Sequence, residues 1–305
     1  MADFALNEDQ LQIQKWVHDF AEGVIRPAAH EWDEREEMPM PIVQQAAEIG
    51  LYGWEFLMNA MGDSTGLTLP VTIEELFWGD AGIGMAIMGT ALAAAGISGN
   101  GTPEQVMEWV PQCYGDAKDV KLGAFCVSEP DAGSDVSSLR TRAVYDQATD
   151  EWVLNGTKAW ITNGGIADIY LISAKTDPKA GHRGISTFLV EADRPGVVPG
   201  RHEDKMGLRT SNTCDLTLND VRIPADHLVG QEGDGFRVAM AGLDVSRPFM
   251  ATIAVGMMQR ALDEATKYAL QREQFGQPIF EFQMVQDLLA RMSASKSSTP
   301  RAAGT

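Results

Sequence analysis

The hydrophobic period changes twice along this chain, and nothing else in the sequence limits its fold as much. Up to about residue 120, apolar residues recur at helical spacing. From Lys121 to about Gly230 they come in short alternating runs divided by Gly, Pro and Asp, and after Gly233-Asp234-Gly235 helical spacing returns. Helix-period and strand-period segments do not interchange. The pattern therefore predicts an α+β chain with an N-terminal helical domain over 1–120, a middle antiparallel β domain over 121–230 and a C-terminal helical bundle segment over 231–292. A closed barrel is the expected form of the middle part, because antiparallel strands of this length hide their edges by closing. Residues 293–305 lose the periodicity to Ser, Pro and small residues and read as a disordered tail.

Local signals place the helices. Asn7 is a cap with Gln10 in the reciprocal position, and Leu11, Val17, Phe20, Ala21 and Val24 make the core stripe of a helix that Pro27 ends or kinks. A second helix is expected over Pro41 to Ile49, stopped by Gly50, and a third over Thr68 to Gly79. The Ala-, Met- and Gly-rich run from Ala81 to Ala95 reads as a buried helix. Its Gly82-Ile83-Gly84 lacks the preceding strand and the third glycine of a dinucleotide loop. Thr102-Pro103-Glu104 then starts another helix.

Charge narrows the partners. With 43 acidic against 24 basic residues the net charge is −19, which argues against nucleic acid and offers no basic stretch for a membrane surface. An anionic ligand would need basic residues of its own at the site. Cys113, Cys126 and Cys214 are far apart and form no CxxC, so reduced thiols in a cytoplasmic setting are expected and a metal site is not. No secretory leader is legible, and no uninterrupted apolar run reaches membrane-spanning length.

Within the middle part, a buried-strand run (Leu122, Ala124, Phe125, Val127) breaks at Ser128-Glu129-Pro130-Asp131-Ala132-Gly133-Ser134-Asp135. Proline, glycine and two serines make a loop whose N–H groups and hydroxyls can hold an anion or a polar ring edge. Strands resume from Arg140 to Tyr145 and from Trp152, past the turn dipeptide Asn155-Gly156, to Trp160-Ile161-Thr162. Residues 160 and 162 are two apart and share a face in regular strand geometry. An ordinary hairpin with a buried tryptophan is the alternative reading.

Four segments in this order, SEPDAGSD, NGTKAWITNGG, MGLRTSNTCDLTLNDVRIP and RALDEATKYALQREQFGQPIFEFQ, resemble the acyl-CoA dehydrogenase family of flavoproteins over nearly the whole chain. The resemblance implies FAD as cofactor, with Phe125, Val127, Ser128, Trp160 and Thr162 at the flavin ring. Trp160 would lie along the ring and Thr162 would donate toward its N5 or O4 edge. Gly133 and Ser134 would approach the cofactor phosphates and the thioester arm, and Asp244 and Arg247 the CoA arm. Arg272, Gln274, Phe275 and Gln283 would reach a neighbouring subunit's FAD, an arginine fork suiting pyrophosphate. Structural alternatives stand beside these: Thr162 as a turn cap, Ser128 bonded to its own backbone, and Asp244 and Arg247 as an intrahelical ion pair. Arg209, in a turn before the last strands, is open between a ligand contact and a solvated turn arginine.

The activity so implied is α,β-dehydrogenation of an acyl-CoA thioester in fatty-acid metabolism. Electrons would pass to an electron-transfer flavoprotein, and the protein would be a homo-oligomer, commonly a tetramer. A non-catalytic flavin-, CoA- or partner-binding member of the family is the other class. The segment Phe56 to Gly66 departs from the family's usual turn, and no residue identifies the acyl group. Related chains continue through more helices that usually carry the catalytic glutamate. In some relatives the base lies instead where this chain has Ser246, so residues 1–305 are expected to hold no catalytic carboxylate, to be truncated and to be impaired.

Overall fold

The first helix starts as its sequence predicts: Asn7 Oδ1 accepts from the Gln10 N–H at 2.9 Å, and Gln10 Oε1 accepts from the Asn7 N–H at 3.1 Å. This computed structural model describes residues 5–298. Helix α1 (Glu8–Phe20) continues through a π-helical stretch, Ala21–Ile25, into α2 (Arg26–Arg35). Pro27 therefore does not end it. The turn before the proline widens, the Arg26 N–H reaches the Ala21 carbonyl, and the ring is accommodated.

Helices α3 (Met40–Glu48), α4 (Trp54–Met61), α5 (Thr68–Gly79), α6 (Ala81–Met88), α7 (Ala91–Asn100) and α8 (Pro103–Gln112) follow. The run read as one helix over 81–95 is broken at Gly89-Thr90. A Cβ on Gly89 would lie 3.1 Å from both the Met85 carbonyl oxygen and Thr162 Cγ2, so the break lets the turn sit against residue 162. Helix α5 is buried along its whole length, with Asp63 bonding its first N–H and the Thr68 hydroxyl. Slight burial opposes ionisation of Asp63, but the Thr65 and Thr68 donors prevail and hold its carboxyl far below the usual range. Thr102 and Gln105 form the capping box of α8, and Gln105 also donates to the carbonyls of Asp226 and Leu228 at 2.8 and 2.9 Å.

The middle of the chain is a sheet of β1 (Gly123–Cys126), β2 (Arg142–Asp146), β3 (Glu151–Thr162), β4 (Ile169–Lys175), β5 (Ile185–Glu191), β6 (Val197–His202), β7 (Thr213–Pro224) and β8 (Leu228–Val229). Its order is β6-β7-β3-β2-β4-β5-β8, with β1 parallel to β4. The expected closed antiparallel barrel is thus corrected to an open, mixed sheet. Its edges are managed without closure: β8 has two residues, and β6 carries Pro199 and ends in Arg201 and His202. β4 and β5 are each buried over six consecutive residues, as strands covered on both faces must be. Tyr170, Ile172, Phe188, Leu154 and Leu216 are among the core residues. Gly96 of α7 lets that helix approach β4, since a Cβ there would lie 2.6 Å from Leu171 Cδ2.

Beyond the sheet, α9 (Gly235–Gln271) leads through a hairpin, β9 (Glu273–Gln274) and β10 (Gln277–Pro278), to α10 (Gln283–Ser298). Of the tail expected from Ser293, residues 293–298 are helical and 299–305 lie outside the described residues. The chain forms two compact units. One comprises the first residues to Glu31, Asn59–Gly84 and the chain from Arg247; the other comprises Trp32–Met58 and Met85–Ser246. In the first, Trp78 Nε1 donates to Asp263 Oδ2 at 2.8 Å, and the Arg260 guanidinium lies 4.7 Å from the Trp78 ring centre. Two helical stretches, Ala81–Asn100 and Gly235–Gln271, are long and apolar enough to cross a membrane by length and composition, and the first is 56% buried within the protein.

Candidate active site

The loop after β1 is fixed from inside. Glu129 Oε1 accepts from Lys158 Nζ at 2.8 Å and from the Thr141 N–H at 3.0 Å, while its Oε2 accepts from the Arg140 N–H at 2.6 Å. Lys158, with no exposed side-chain surface, also donates to the Val127 carbonyl at 3.1 Å. Burial works against the charge on both groups. On Glu129 the Lys158 ammonium and the backbone donors outweigh burial and bring the carboxyl below its ordinary value; on Lys158 burial prevails and lowers the ammonium's. Three donors around Glu129 and two acceptors around Lys158 identify a carboxylate and an ammonium.

Next to Lys158, β3 bulges. Its pairing with β7 jumps between Lys158 and Ile161, and two successive residues, Lys158 and Ala159, are buried, so the alternation expected of a strand fails here. Trp160 takes φ +62°, outside the regular strand region, and is 65% exposed. The buried-tryptophan alternative does not hold for Trp160, although Trp152 on the same strand is buried. Thr162 is half-buried against the α6–α7 turn. Asn163, fully buried at φ +62°, donates from Nδ2 to the Gly123 carbonyl at 3.1 Å, and its Oδ1 has no protein partner. The Ala159 N–H donates to the Ser128 carbonyl at 2.9 Å, which ties the loop to the bulge.

The structure brings Phe125, Val127, Ser128, Trp160 and Thr162 together at the ends of β1 and β3. Phe125 and Ser128 are half-buried, whereas the Val127 side chain is turned inward at 6% exposure. Gly133 and Ser134 are exposed. A Cβ at Gly133 would meet no protein atom within 4 Å, so the fold itself does not require glycine there. Arg209, left open between ligand contact and solvated turn, is held by Asp33 at 2.7 Å and Glu36 at 2.7 Å. Three residues on, the Asn212 carbonyl accepts from the Asn163 N–H at 2.9 Å, so this turn braces the end of β3.

Asp244 is exposed on α9 and lines a cavity of about 500 Å³ with His182, Arg183, Phe236, Arg237 and Met240. Asp234 lines it too and pairs with Arg237 at 3.0 Å, so basic and acidic groups both face the cavity. Arg247 is exposed one turn further along the helix, and Ser246 between them donates to the Leu243 carbonyl at 3.1 Å. Arg272, Gln274 and Phe275 sit exposed on the β9–β10 hairpin, and Gln283 is exposed at the start of α10. Phe275 is 94% exposed at a two-residue turn with Gly276, the pair at φ +54° and +77°.

Sequence reasoning missed Glu129, Lys158, Asn163 and Asn212. A lysine among apolar strand residues was the available signal for Lys158, since a buried cation requires a paired acid. For the other three the side-chain partners lie from 11 to 47 residues away, and no local pattern shows them.

Comparison with known proteins covers all three parts of the chain. Models of the acyl-CoA dehydrogenase N-terminal, middle and C-terminal domains match residues 7–115, 124–221 and 233–299. A short-chain-specific acyl-CoA dehydrogenase of Megasphaera elsdenii is 39% identical over 297 residues, covering 95% of this chain and 76% of the relative. The structure of butyryl-CoA dehydrogenase from the same organism superposes with a TM-score of 0.88 at 37% identity, covering 97% of this chain and 78% of that one. A chain in the structure of the electron transferring flavoprotein of Acidaminococcus fermentans gives the same TM-score and identity over 97% and 77%. The three family models and these relatives show that this chain belongs to the acyl-CoA dehydrogenase family of flavoprotein oxidoreductases.

Proposed function

We propose that this protein binds FAD, dehydrogenates an acyl-CoA thioester between its α and β carbons, and passes the electrons to an electron-transfer flavoprotein, working as a homo-oligomer in a reducing, cytoplasm-like compartment. The observation that carries the reading is Trp160, an aromatic plane kept exposed in a conformation that costs energy, beside Thr162 and the Ser128–Asp135 loop. The residues present fit a flavin: an exposed indole, a half-buried hydroxyl at a strand end, an unpartnered buried carbonyl oxygen on Asn163, and open space at Gly133. Bound there, the flavin would supply the acceptor for the substrate's β-hydride.

This chain's own residues would do the rest by holding. Trp160 and Phe125 would stack against the ring, Thr162 would donate to its polar edge, and Ser128, Gly133 and Ser134 would line the cofactor and thioester arms. The cavity at Asp244, with Arg183, Arg237 and His182, suits the anionic end of CoA, and Arg247 continues the same helix. Arg272, Gln274, Phe275 and Gln283 would serve a neighbouring copy's cofactor, which is the basis for proposing a homo-oligomer. Fatty-acid metabolism is the natural setting, and the similarity to a chain in an electron transferring flavoprotein structure supports the electron partner. Removal of the α-proton needs a carboxylate. A positioned general base contributes about 10²- to 10⁴-fold in rate, and Ser246 cannot be that carboxylate.

The test is spectroscopic. The folded protein incubated with FAD should show a flavin absorption band, and anaerobic acyl-CoA should bleach it. A folded preparation that stays colourless in excess FAD would overturn the reading.

A further inference from the structure

We propose that the buried Glu129–Lys158 pair is a positioning device for the flavin-contacting edge, acting through the backbone and touching neither cofactor nor substrate. The inference rests on the flavin reading above only for what the edge is used for. Four separate backbone points converge on this one pair: the Val127 carbonyl on Lys158 Nζ at 3.1 Å, the Arg140 and Thr141 N–H groups on Glu129 at 2.6 and 3.0 Å, and Lys158 itself on β3. Glu129 also closes its own loop, exchanging backbone hydrogen bonds with Ala132 at 3.0 Å in both directions. Gly156 is part of the same arrangement. A Cβ there would lie 2.4 Å from Thr141 Oγ1 and 2.7 Å from Thr141 Cα, so only glycine lets β3 come close enough for Lys158 to reach across.

The consequence falls on the next two residues. Because the Lys158 side chain is drawn into the interior and Ala159 is bonded to Ser128, two successive side chains face inward. The strand must bulge, and Trp160 is turned outward at φ +62°. A salt bridge kept only for stability would be a weak device, since well-packed apolar residues usually serve as well in a core. What apolar residues cannot do is bond the Val127 carbonyl and the two N–H groups at 140 and 141. The pair therefore fixes the direction of Trp160 and the height of the Ser128–Asp135 loop relative to it.

The test uses the Lys158→Met/Glu129→Leu double variant, which leaves no buried charge, and the milder Glu129→Gln. In flavin-free protein, acrylamide quenching assigned to Trp160 by subtracting a Trp160→Phe spectrum should change in both variants while the far-ultraviolet circular dichroism stays parental. With FAD, the visible band should lose its vibronic structure, and binding should weaken about 10-fold, the worth of one misaligned hydrogen bond. In the unmutated protein, the amides of Arg140, Thr141 and Ala159 should exchange with solvent as one slow group. Parental quenching and FAD affinity in the folded variants, or fast independent exchange at those three amides, would overturn the proposal. If the parent binds no FAD, the flavin reading fails, and the quenching and exchange results still decide whether the pair positions Trp160.

Discussion

Gly256 to alanine should destabilise the protein even though alanine is the better helix former. Gly256 lies inside α9 where that helix crosses α5. A Cβ there would sit 2.3 Å from the Glu74 carbonyl oxygen and 3.1 Å from the Trp78 backbone nitrogen. Helix propensity favours the substitution by about 1 kcal/mol. Against it stands overpacking, typically ~1–3 kcal/mol, and the upper end applies because backbone of a wholly buried helix cannot rotate aside. The net expectation is a loss of about 1–2 kcal/mol, or roughly 2–3 °C in melting temperature for a chain of this size. Two controls calibrate it. Gly96→Ala presses on the movable tip of Leu171 and should cost less. Gly99→Ala meets nothing within 4 Å and should gain up to ~1 kcal/mol. Thermal unfolding followed by circular dichroism gives the order. Gly256→Ala melting at or above the parent would refute the reasoning.

Acid should weaken the protein partly through Glu129. Its folded-state value lies below the ordinary 4.5, so its stabilising contribution is complete above that pH and is lost as pH falls through the folded value. The parent and Glu129→Gln should therefore differ in denaturant midpoint at neutral pH, and the gap should close as the pH is lowered into the acid range; a constant gap there would contradict this. The three cysteines are buried and free, and burial pushes the Cys113 thiol up to about 12. Disulfide reagents should label none of them in native protein between about pH 7 and 9 and all of them in guanidinium, and rapid native labelling of Cys113 would count against its placement.

How far the sequence carried depended on how far apart the partners are. The caps at Asn7 and Thr102 were legible because each signal and its partner are three residues apart. The run of Tyr170 to Lys175 showed a strand because apolar burial on both faces is written in consecutive residues. Closure of the sheet was misread because it depends on whether two end strands meet, and period-2 patterning carries no information about that. Arg209 was ambiguous since its carboxylates lie 173 and 176 residues away. Trp160 and Thr162 do lie on one strand as read, but their relation is not that of a regular strand. The bulge that reorients Trp160 arises from Lys158, whose acid partner is 29 residues distant.

Two exposed aromatic residues hold left-handed backbone conformations, and they deserve one explanation. Trp160 at φ +62° is 65% exposed, and Phe275 at φ +54° is 94% exposed. Non-glycine residues avoid this region, aromatic ones especially, so each position costs energy that a glycine or asparagine would spare. Burial cannot be what compensates, because neither side chain is buried. At Trp160 the conformation is imposed by the inward pull on its neighbours; at Phe275 it is imposed by the two-residue hairpin, whose turn requires positive φ at both central residues. In both cases the surrounding structure over-determines a strained backbone and the product is an aromatic surface presented outward. Strain with nothing gained inside the fold is what a site that acts on something outside it looks like. By that criterion we propose that the hairpin bearing Arg272, Gln274 and Phe275 is, like the Trp160 edge, a surface made for contact.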